Sequence, residues 1–297
     1  MKVGIIGVGI MGSAIARNLI AAGQQVWGFD IAETRRKELT AMGGTVASSP
    51  AEIAASADVI LTSLPSIAAL DASVSGDAGI VTRARKGLVV VELSTLPIEA
   101  KLRNRDALAA AGIVMLDCPL SGTGAQAVTR DLVVYASGER AAYDRCVEMF
   151  ARFARLSHYL GAFGNGSKMK YVANLLVAIH NVASAEAMVL GMKAGLAADD
   201  IVKVVGSGAG TSRVFELRAP LMAQANYQPP TMKIDIWQKD MAVIGEFATK
   251  LGVATPVFAA SAPIYNAAIG QGLGGDDTAA VCAVLERMAG MDERRKP

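Results

Sequence analysis

The chain has 297 residues, 52% of them hydrophobic and 19% charged, with a formal net charge of +2, which is length enough for two domains with ample core. That balance gives no basic face for nucleic acid, and two histidines with three scattered cysteines (Cys118, Cys146, Cys282) have no metal-ligand spacing, so no metal is expected. An odd, unpatterned set of cysteines points to a reducing compartment, the cytoplasm.

Val3 to Ile6 reads as a short apolar strand, and Gly7-Val8-Gly9-Ile10-Met11-Gly12 sets G-x-G-x-x-G between it and a helical pattern over about residues 10–22. In such a dinucleotide motif Gly7 makes the tight turn, Gly9 lets the backbone approach a pyrophosphate, and Gly12 packs the helix on the strand. The helix N-terminus then faces the phosphates. Lys2, the apolar run and Ala14-Ile15-Ala16 imitate a secretory signal, but the glycines within the run argue against one. A second strand, Gln25 to Phe29, ends at Asp30, where the ribose-binding acid of such a unit belongs. A carboxylate there accepts from a ribose 2′-OH and repels a 2′-phosphate, so NAD is expected rather than NADP. Arg35 and Arg36 fall on the solvated face of a helix beginning at Glu33-Thr34.

Further strands are expected at Val59 to Ser63, Leu88 to Leu93, Val114 to Asp117 and Leu132 to Ala136, with Pro50, Pro65 and Pro97 at helix starts. Alternation of strands and helices predicts an α/β Rossmann domain, a doubly wound parallel sheet, over residues 1–162. Past Gly161-Ala162-Phe163-Gly164-Asn165-Gly166 no strand is expected, and residues 163–297 read as an all-α domain. It opens with one helix from Ser167 to Lys193, about 40 Å long. The apolar stretch Tyr171 to Met192 contains Asn174, His180, Asn181 and Glu186, so it reads as a buried helix and not a membrane span. A helix that apolar needs more cover than one small domain supplies, which predicts a homodimer or homotetramer. The tail from Asp292 to Pro297 reads as disordered.

None of the six tyrosines is followed four residues later by lysine, which removes a Tyr/Lys proton relay, and the cysteines and histidines do not supply a catalytic zinc set. His158, on an expected strand, and His180, in the long helix, read as packed, hydrogen-bonded side chains. Lysine remains. Lys170 and Asn174 share one helix face at i and i+4, whereas Lys168 faces elsewhere. By spacing alone Lys170 is most simply a surface lysine on an exposed turn; the other reading is a partly desolvated lysine able to exchange a proton near neutral pH.

Three separated motifs resemble the β-hydroxyacid dehydrogenase family: Gly7-Val-Gly-Ile-Met-Gly-Ser-Ala-Ile-Ala-Arg-Asn-Leu-Ile-Ala-Ala-Gly23, Asp117-Cys-Pro-Leu-Ser-Gly122, and Gly164-Asn-Gly-Ser-Lys-Met-Lys-Tyr-Val-Ala-Asn174. Leu64-Pro65, Ser94-Thr95 and Lys239-Asp240 are weaker matches in the right order. The resemblance implies hydride transfer between the nicotinamide cofactor and a small β-hydroxy acid, with Lys170 as general acid/base. It also implies that Ser121 and the N–H groups of Gly122 and Thr123 hold the substrate carboxylate and that Asn174 hydrogen-bonds the substrate. By the same warrant Asp240 orients the lysine region, Lys239 lies on the cofactor side, Leu64 and Pro65 lie beside the nicotinamide, and Thr95 lies near its ribose. The chain departs from the family's pattern at Thr123-Gly124, at Ala173 before Asn174, and at Met232, where an aromatic residue is common. Thr123 could favour a polyhydroxylated acid or simply cap the turn. An imine reductase, which usually lacks this lysine, is the alternative within enzymes; a non-catalytic dinucleotide-binding interaction protein is the alternative outside them. Decarboxylation of 6-phosphogluconate would call for a longer helical domain.

Overall fold

The computed structural model describes residues 1–83 and 85–291. Its contacts divide the chain into two units, Met1–Lys170 and Tyr171–Pro297. The proposed disorder of the tail lies outside the described residues.

In the first unit β1 (Lys2–Ile6), β2 (Gln25–Phe29), β3 (Thr45–Val46), β4 (Val59–Thr62), β5 (Val89–Glu92) and β6 (Val114–Asp117) form a parallel sheet of order β3-β2-β1-β4-β5-β6. Continuous runs such as Val59-Ile-Leu-Thr62 and Val89-Val-Val-Glu92 are buried at every residue, as strands covered on both faces must be. Val3 pairs with Val26 on one side and Val59 on the other. The order reverses at β1/β4, so the carboxyl ends of these two strands flank a crevice where ligands of this fold bind.

Helices α1 (Ile10–Ala21), α2 (Glu33–Ala41), α3 (Pro50–Ala54), α4 (Ile67–Ser75) and α5 (Ile98–Ala110) cover the sheet. One core cluster joins Ile15 and Leu19 of α1 to Val3, Ile5, Val91 and Leu116; another, on the opposite face, joins Ile53, Leu70 and Leu108 to Ile6, Ile60 and Val90. Pro50 is the first residue of α3, with Ser49 capping the N–H of Glu52. Pro65 and Pro97 lie just before their helices: Ser66 caps α4, and Pro97 is the cap residue of α5.

The expected strand at Leu132 to Ala136 forms as β8 (Val133–Ala136), but not in the parallel sheet. It is the centre of a separate three-stranded sheet, antiparallel to β7 (Leu120–Ser121) and parallel to β9 (Leu156–Tyr159). Chain reversal right after β6, through α6 (Gly124–Val128), brings the strand back alongside Ser121, and α7 (Arg140–Phe153) then carries the chain to β9. The two-residue strands β3 and β7 have no period to read in a sequence. His158 is exposed on β9 and His180 half-buried, so the first is not the packed histidine that the sequence suggested.

α8 (Asn165–Lys193) is a single helix that runs across the boundary between the units. Within the second unit, α9 (Ala198–Gly206), α10 (Arg213–Ala223), α11 (Ile234–Lys250), α12 (Pro256–Gly270) and α13 (Val281–Met288) complete a helical body. Its polar core is organised around two points. Asp277 accepts from the Arg218 guanidinium at 2.6 Å and from the backbone N–H of Thr231 at 2.7 Å. Asn181 of α8 donates to the Tyr265 hydroxyl and to the Thr278 carbonyl.

Candidate active site

The turn from β1 into α1 has the shape of an anion cradle. Gly7 has φ +89°, and a Cβ there would lie 2.2 Å from the Ser63 carbonyl oxygen; a Cβ on Gly12 would lie 2.0 Å from the Gly7 carbonyl oxygen. Both glycines are therefore required by the fold itself. Gly9 differs: its φ of −70° suits any L-residue, and a Cβ there would meet nothing within 4 Å. The glycine at that position leaves space that the protein does not use. Gly9 is the cap residue of α1 and no side chain caps it, so the first-turn N–H groups of Ile10 and Met11 head a helix whose positive end faces that space. These features fit a dinucleotide pyrophosphate.

At the end of β2 the Asp30 carboxylate is fixed by the backbone N–H groups of Val8 at 2.8 Å and Ala32 at 2.9 Å. Arg35 pairs with Glu38 on the outer face of α2. Arg36 corrects the sequence reading: its guanidinium is not on the solvated face but donates to the carbonyls of Asp30 at 2.6 Å and Ile31 at 3.0 Å. Carbonyls at a strand end are unpaired acceptors, and an arginine one helical turn away satisfies them. Phe29, Arg36, Val46, Ala47 and Ser48 line a cleft of about 410 Å³ there.

At the ends of β4 and β5, the Leu64 N–H donates to Ser94 Oγ at 2.8 Å, tying Leu64-Pro65 to Ser94-Thr95. The loop after β6 is anchored to α1. Asn18 Nδ2 donates to the Ala127 carbonyl at 2.7 Å, and Gly124 is small enough to let Ile10 sit against it, where a Cβ would lie 2.4 Å from Ile10 Cγ2. Gly122 has φ +122° with Leu132 directly behind it. Thr123 is the cap residue of α6 in a reciprocal capping box with Gln126, whose Oε1 accepts the Thr123 N–H at 3.1 Å. That N–H is thereby withdrawn from the set expected to hold a carboxylate; Ser121 and Gly122 remain, both half-buried.

Beneath this loop lies a cluster that the sequence did not reveal. Lys101 of α5 is fully buried, with Nζ 2.8 Å from Asp117 Oδ1, 2.5 Å from Glu92 Oε2 and 2.7 Å from the Ser94 carbonyl. Burial works against its ammonium, but the Asp117 and Glu92 carboxylates outweigh burial and hold its pKa above the ordinary lysine value. Asp117 also accepts from the Ser167 N–H and Ser167 Oγ, each at 2.8 Å. Cys118 is no nucleophile: burial first, then the Asp117 charge, pushes its thiol well above the usual range.

Lys170 lies in the second turn of α8, not on an exposed turn, and is only 9% exposed. In the second unit Asn174, 5% exposed, donates through Nδ2 to Asp240 Oδ2 at 2.8 Å. Lys239 Nζ lies 3.4 Å from Asp240 Oδ1.

Comparison with known proteins agrees with this geometry. A family model of the NAD-binding domain of 6-phosphogluconate dehydrogenase matches residues 2–161, and one described as NAD-binding of NADP-dependent 3-hydroxyisobutyrate dehydrogenase matches residues 164–285. L-threonate dehydrogenase of Cupriavidus necator is 33% identical over 96% of both chains. Glyoxylate/succinic semialdehyde reductase 1 of Arabidopsis thaliana is 30% identical over 96% of this chain and 99% of its own. The crystal structure of 3-hydroxyisobutyrate dehydrogenase from Salmonella typhimurium superimposes with a TM-score of 0.86 at 30% identity, covering 96% of this chain and 99% of that one. Sheet, cradle and helical second unit thus define an oxidoreductase that works with a nicotinamide dinucleotide. The chain belongs to the β-hydroxyacid dehydrogenase family.

The two kinds of glycine in the cradle are separable. Gly9→Val is expected to melt within a few degrees of wild type yet bind NADH at least about tenfold more weakly, because its side chain projects only into ligand space. Gly12→Val is expected to lose folding stability outright. NADH fluorescence titration beside thermal melting checks both, and unchanged NADH affinity in Gly9→Val would exclude the cradle as the pyrophosphate site.

Proposed function

We propose that the protein catalyses reversible, NAD-linked oxidation of a short hydroxy acid with Lys170 as the general acid/base. The observation that carries this reading is the burial of Lys170 at 9% exposure in α8, one turn before the buried Asn174. A lysine amine largely out of water and one helical turn from a buried carboxamide is the arrangement that a side-chain general acid/base at a substrate hydroxyl calls for. In oxidation the neutral amine takes the hydroxyl proton at Nζ; in reduction the ammonium returns it to the forming alkoxide. The cofactor, held by residues 7–12 and Asp30, supplies the hydride acceptor or donor. Asp240 fixes the Asn174 amide through Nδ2, which leaves Oδ1 to accept from a substrate hydroxyl. Ser121 and the Gly122 N–H serve the carboxylate. The family resemblance assigns Leu64, Pro65 and Thr95 to the nicotinamide side, and Lys239 is paired with Asp240 within the helical unit.

The L-threonate relatives favour a short polyhydroxylated acid as substrate. Engagement of Thr123 in the α6 cap supports the turn role for that residue, so the extra hydroxyls would be read by Ser121 and Asn174. Asp30, fixed at the ribose end, supports NAD over NADP; Arg36 is the opposing influence, since its guanidinium lies at the same strand end and retains donors beyond the two carbonyls. Three free, buried cysteines suit the cytoplasm. On α8 Met169, Val172 and Leu176 form an exposed apolar stripe at helical spacing, and Leu190 is 73% exposed, which supports assembly of at least a dimer through the helical unit.

Lys170→Ala is expected to lower turnover of the best substrate in a panel of short hydroxy acids by about a hundredfold or more while leaving NADH affinity unchanged. A variant that keeps a large share of wild-type turnover would refute the lysine's role. For the cofactor, NADH is expected to bind more tightly than NADPH, and Asp30→Asn to narrow that ratio by roughly tenfold or more through loss of like-charge repulsion. Wild-type preference for NADPH, abolished by Arg36→Ala, would show that the guanidinium sets the choice. Light scattering at micromolar concentration is expected to give at least twice the mass of one chain, and a stable monomer would exclude the proposed assembly.

A further inference from the structure

The Lys101 cluster has no part in the chemistry described so far, yet its hydrogen bonds reach three functional segments. Glu92, at the end of β5, accepts the Ser94 N–H through Oε1 at 2.9 Å and meets Lys101 through Oε2. The Lys101 ammonium holds the Ser94 carbonyl, and Ser94 Oγ holds the Leu64 N–H. On its other side the ammonium holds Asp117 Oδ1. Asp117 grips the first turn of α8: Oδ2 accepts the Ser167 N–H and Oδ1 the Ser167 hydroxyl. Ser137 completes the grip, its Oγ donating to Asp117 and accepting the Gly166 N–H at 2.9 Å. Gly166 has no alternative, since a Cβ there would lie 2.3 Å from the Tyr135 carbonyl oxygen and 2.6 Å from that of Asp117.

The N–H groups of Gly166 and Ser167 belong to the helix start that has no intrahelical partner, and a carboxylate there meets the positive end of the helix. Two carboxylates, one ammonium and a helix N-terminus thus neutralise one another in a site where Glu92, Lys101, Asp117 and Ser137 are all 0% exposed. Lys170 follows Ser167 by three residues and so lies over it on the same helix face. A buried ion cluster of this kind is weak as a source of stability, because apolar replacements of similar volume are often neutral or better. Its use here is geometric.

We infer that Lys101 is a positioning residue for the reaction: acting through Asp117 and Ser167, it fixes the start of α8, and with it Lys170, relative to the Ser94-Thr95 and Leu64-Pro65 segments. The inference rests on the reading of Lys170 as the proton-transfer group. With the ammonium removed, Asp117 and Glu92 confront each other unscreened, Asp117 turns from Ser167, and the first turn of α8 loses its anchor. The cofactor cradle at residues 7–12 shares none of these contacts.

The test uses Lys101→Met and the charge-balanced Lys101→Met/Glu92→Gln, which keeps the net charge of the cluster at one negative. Each is combined with Ser167→Ala. Readouts are kcat and KM for the best substrate of the hydroxy-acid panel, NADH affinity by fluorescence, melting temperature, and amide exchange at Gly166 and Ser167. The charge-balanced variant is expected to stay folded and to keep NADH affinity within about threefold, while kcat falls about tenfold or more, the scale of a small misplacement of a reacting group. Amide exchange at the start of α8 should rise. Ser167→Ala should lower kcat by itself and add little in the Lys101 background, since residues acting in one chain of contacts are non-additive. Additive effects, wild-type kcat in a folded variant, or failure of both Lys101 variants to fold would overturn the inference and leave the cluster purely structural. An active Lys170→Ala enzyme would sink the reading of Lys170 itself, whereas full activity of the Lys101 variants beside an inactive Lys170→Ala would sink only the inference.

Discussion

The Asp117 carboxylate is the point on which the first unit turns. It ends β6, where the parallel sheet stops, and its backbone N–H and carbonyl both pair with Ser137, which directly follows β8, the central strand of the second sheet. Its side chain meets Lys101 from α5 and Ser167 from α8. One fully buried negative charge therefore joins the two sheets, a covering helix and the start of the longest helix. A carboxylate in that position is tolerable only because every lone pair is met, and the requirement to meet them fixes the partners' places.

The cofactor side obeys a different constraint, which is absence of atoms. Gly7 and Gly12 have no side chain because the backbone of neighbouring turns occupies the space, whereas at Gly9 the protein leaves the space open. The loop following β6 uses the same device. Gly124 lets α6 approach Ile10, within the dinucleotide motif, and Asn18 of α1 fastens it there through Ala127. The dinucleotide turn and the loop following β6 are thus braced on one helix, so that loop cannot shift without disturbing the turn following β1.

Much of this was legible in the residues. The apolar runs of β4 and β5, the glycine motif and the long helix of Asn165–Lys193 announce themselves through continuous hydrophobicity, turn chemistry and a gap in helix breakers. Short strands such as Thr45–Val46 and Leu120–Ser121 did not, because two residues carry no period and exist only by pairing with a distant neighbour. Val133–Ala136 looked like one more strand of the parallel sheet; only the reversal after β6 gave it an antiparallel neighbour. Lys101 sits in Ile-Glu-Ala-Lys-Leu-Arg-Asn, a sequence in which a lysine reads as solvated surface, and nothing local tells that Glu92 and Asp117 lie opposite.

By itself the sequence determined the fold class, the dinucleotide motif and the pairing of Lys170 with Asn174 on one helix face, since each depends on spacing along the chain and on chemistry within a few residues. Tertiary structure alone decided that Lys170 is buried, that Arg36 folds back onto the end of β2, that Thr123 spends its N–H on Gln126, and that Lys101 is enclosed by two carboxylates. The physical reason is the same in each case. Burial and the choice among competing hydrogen-bond acceptors are set by groups distant in the chain or by the precise course of the backbone, and no local pattern of residues encodes which of them will arrive.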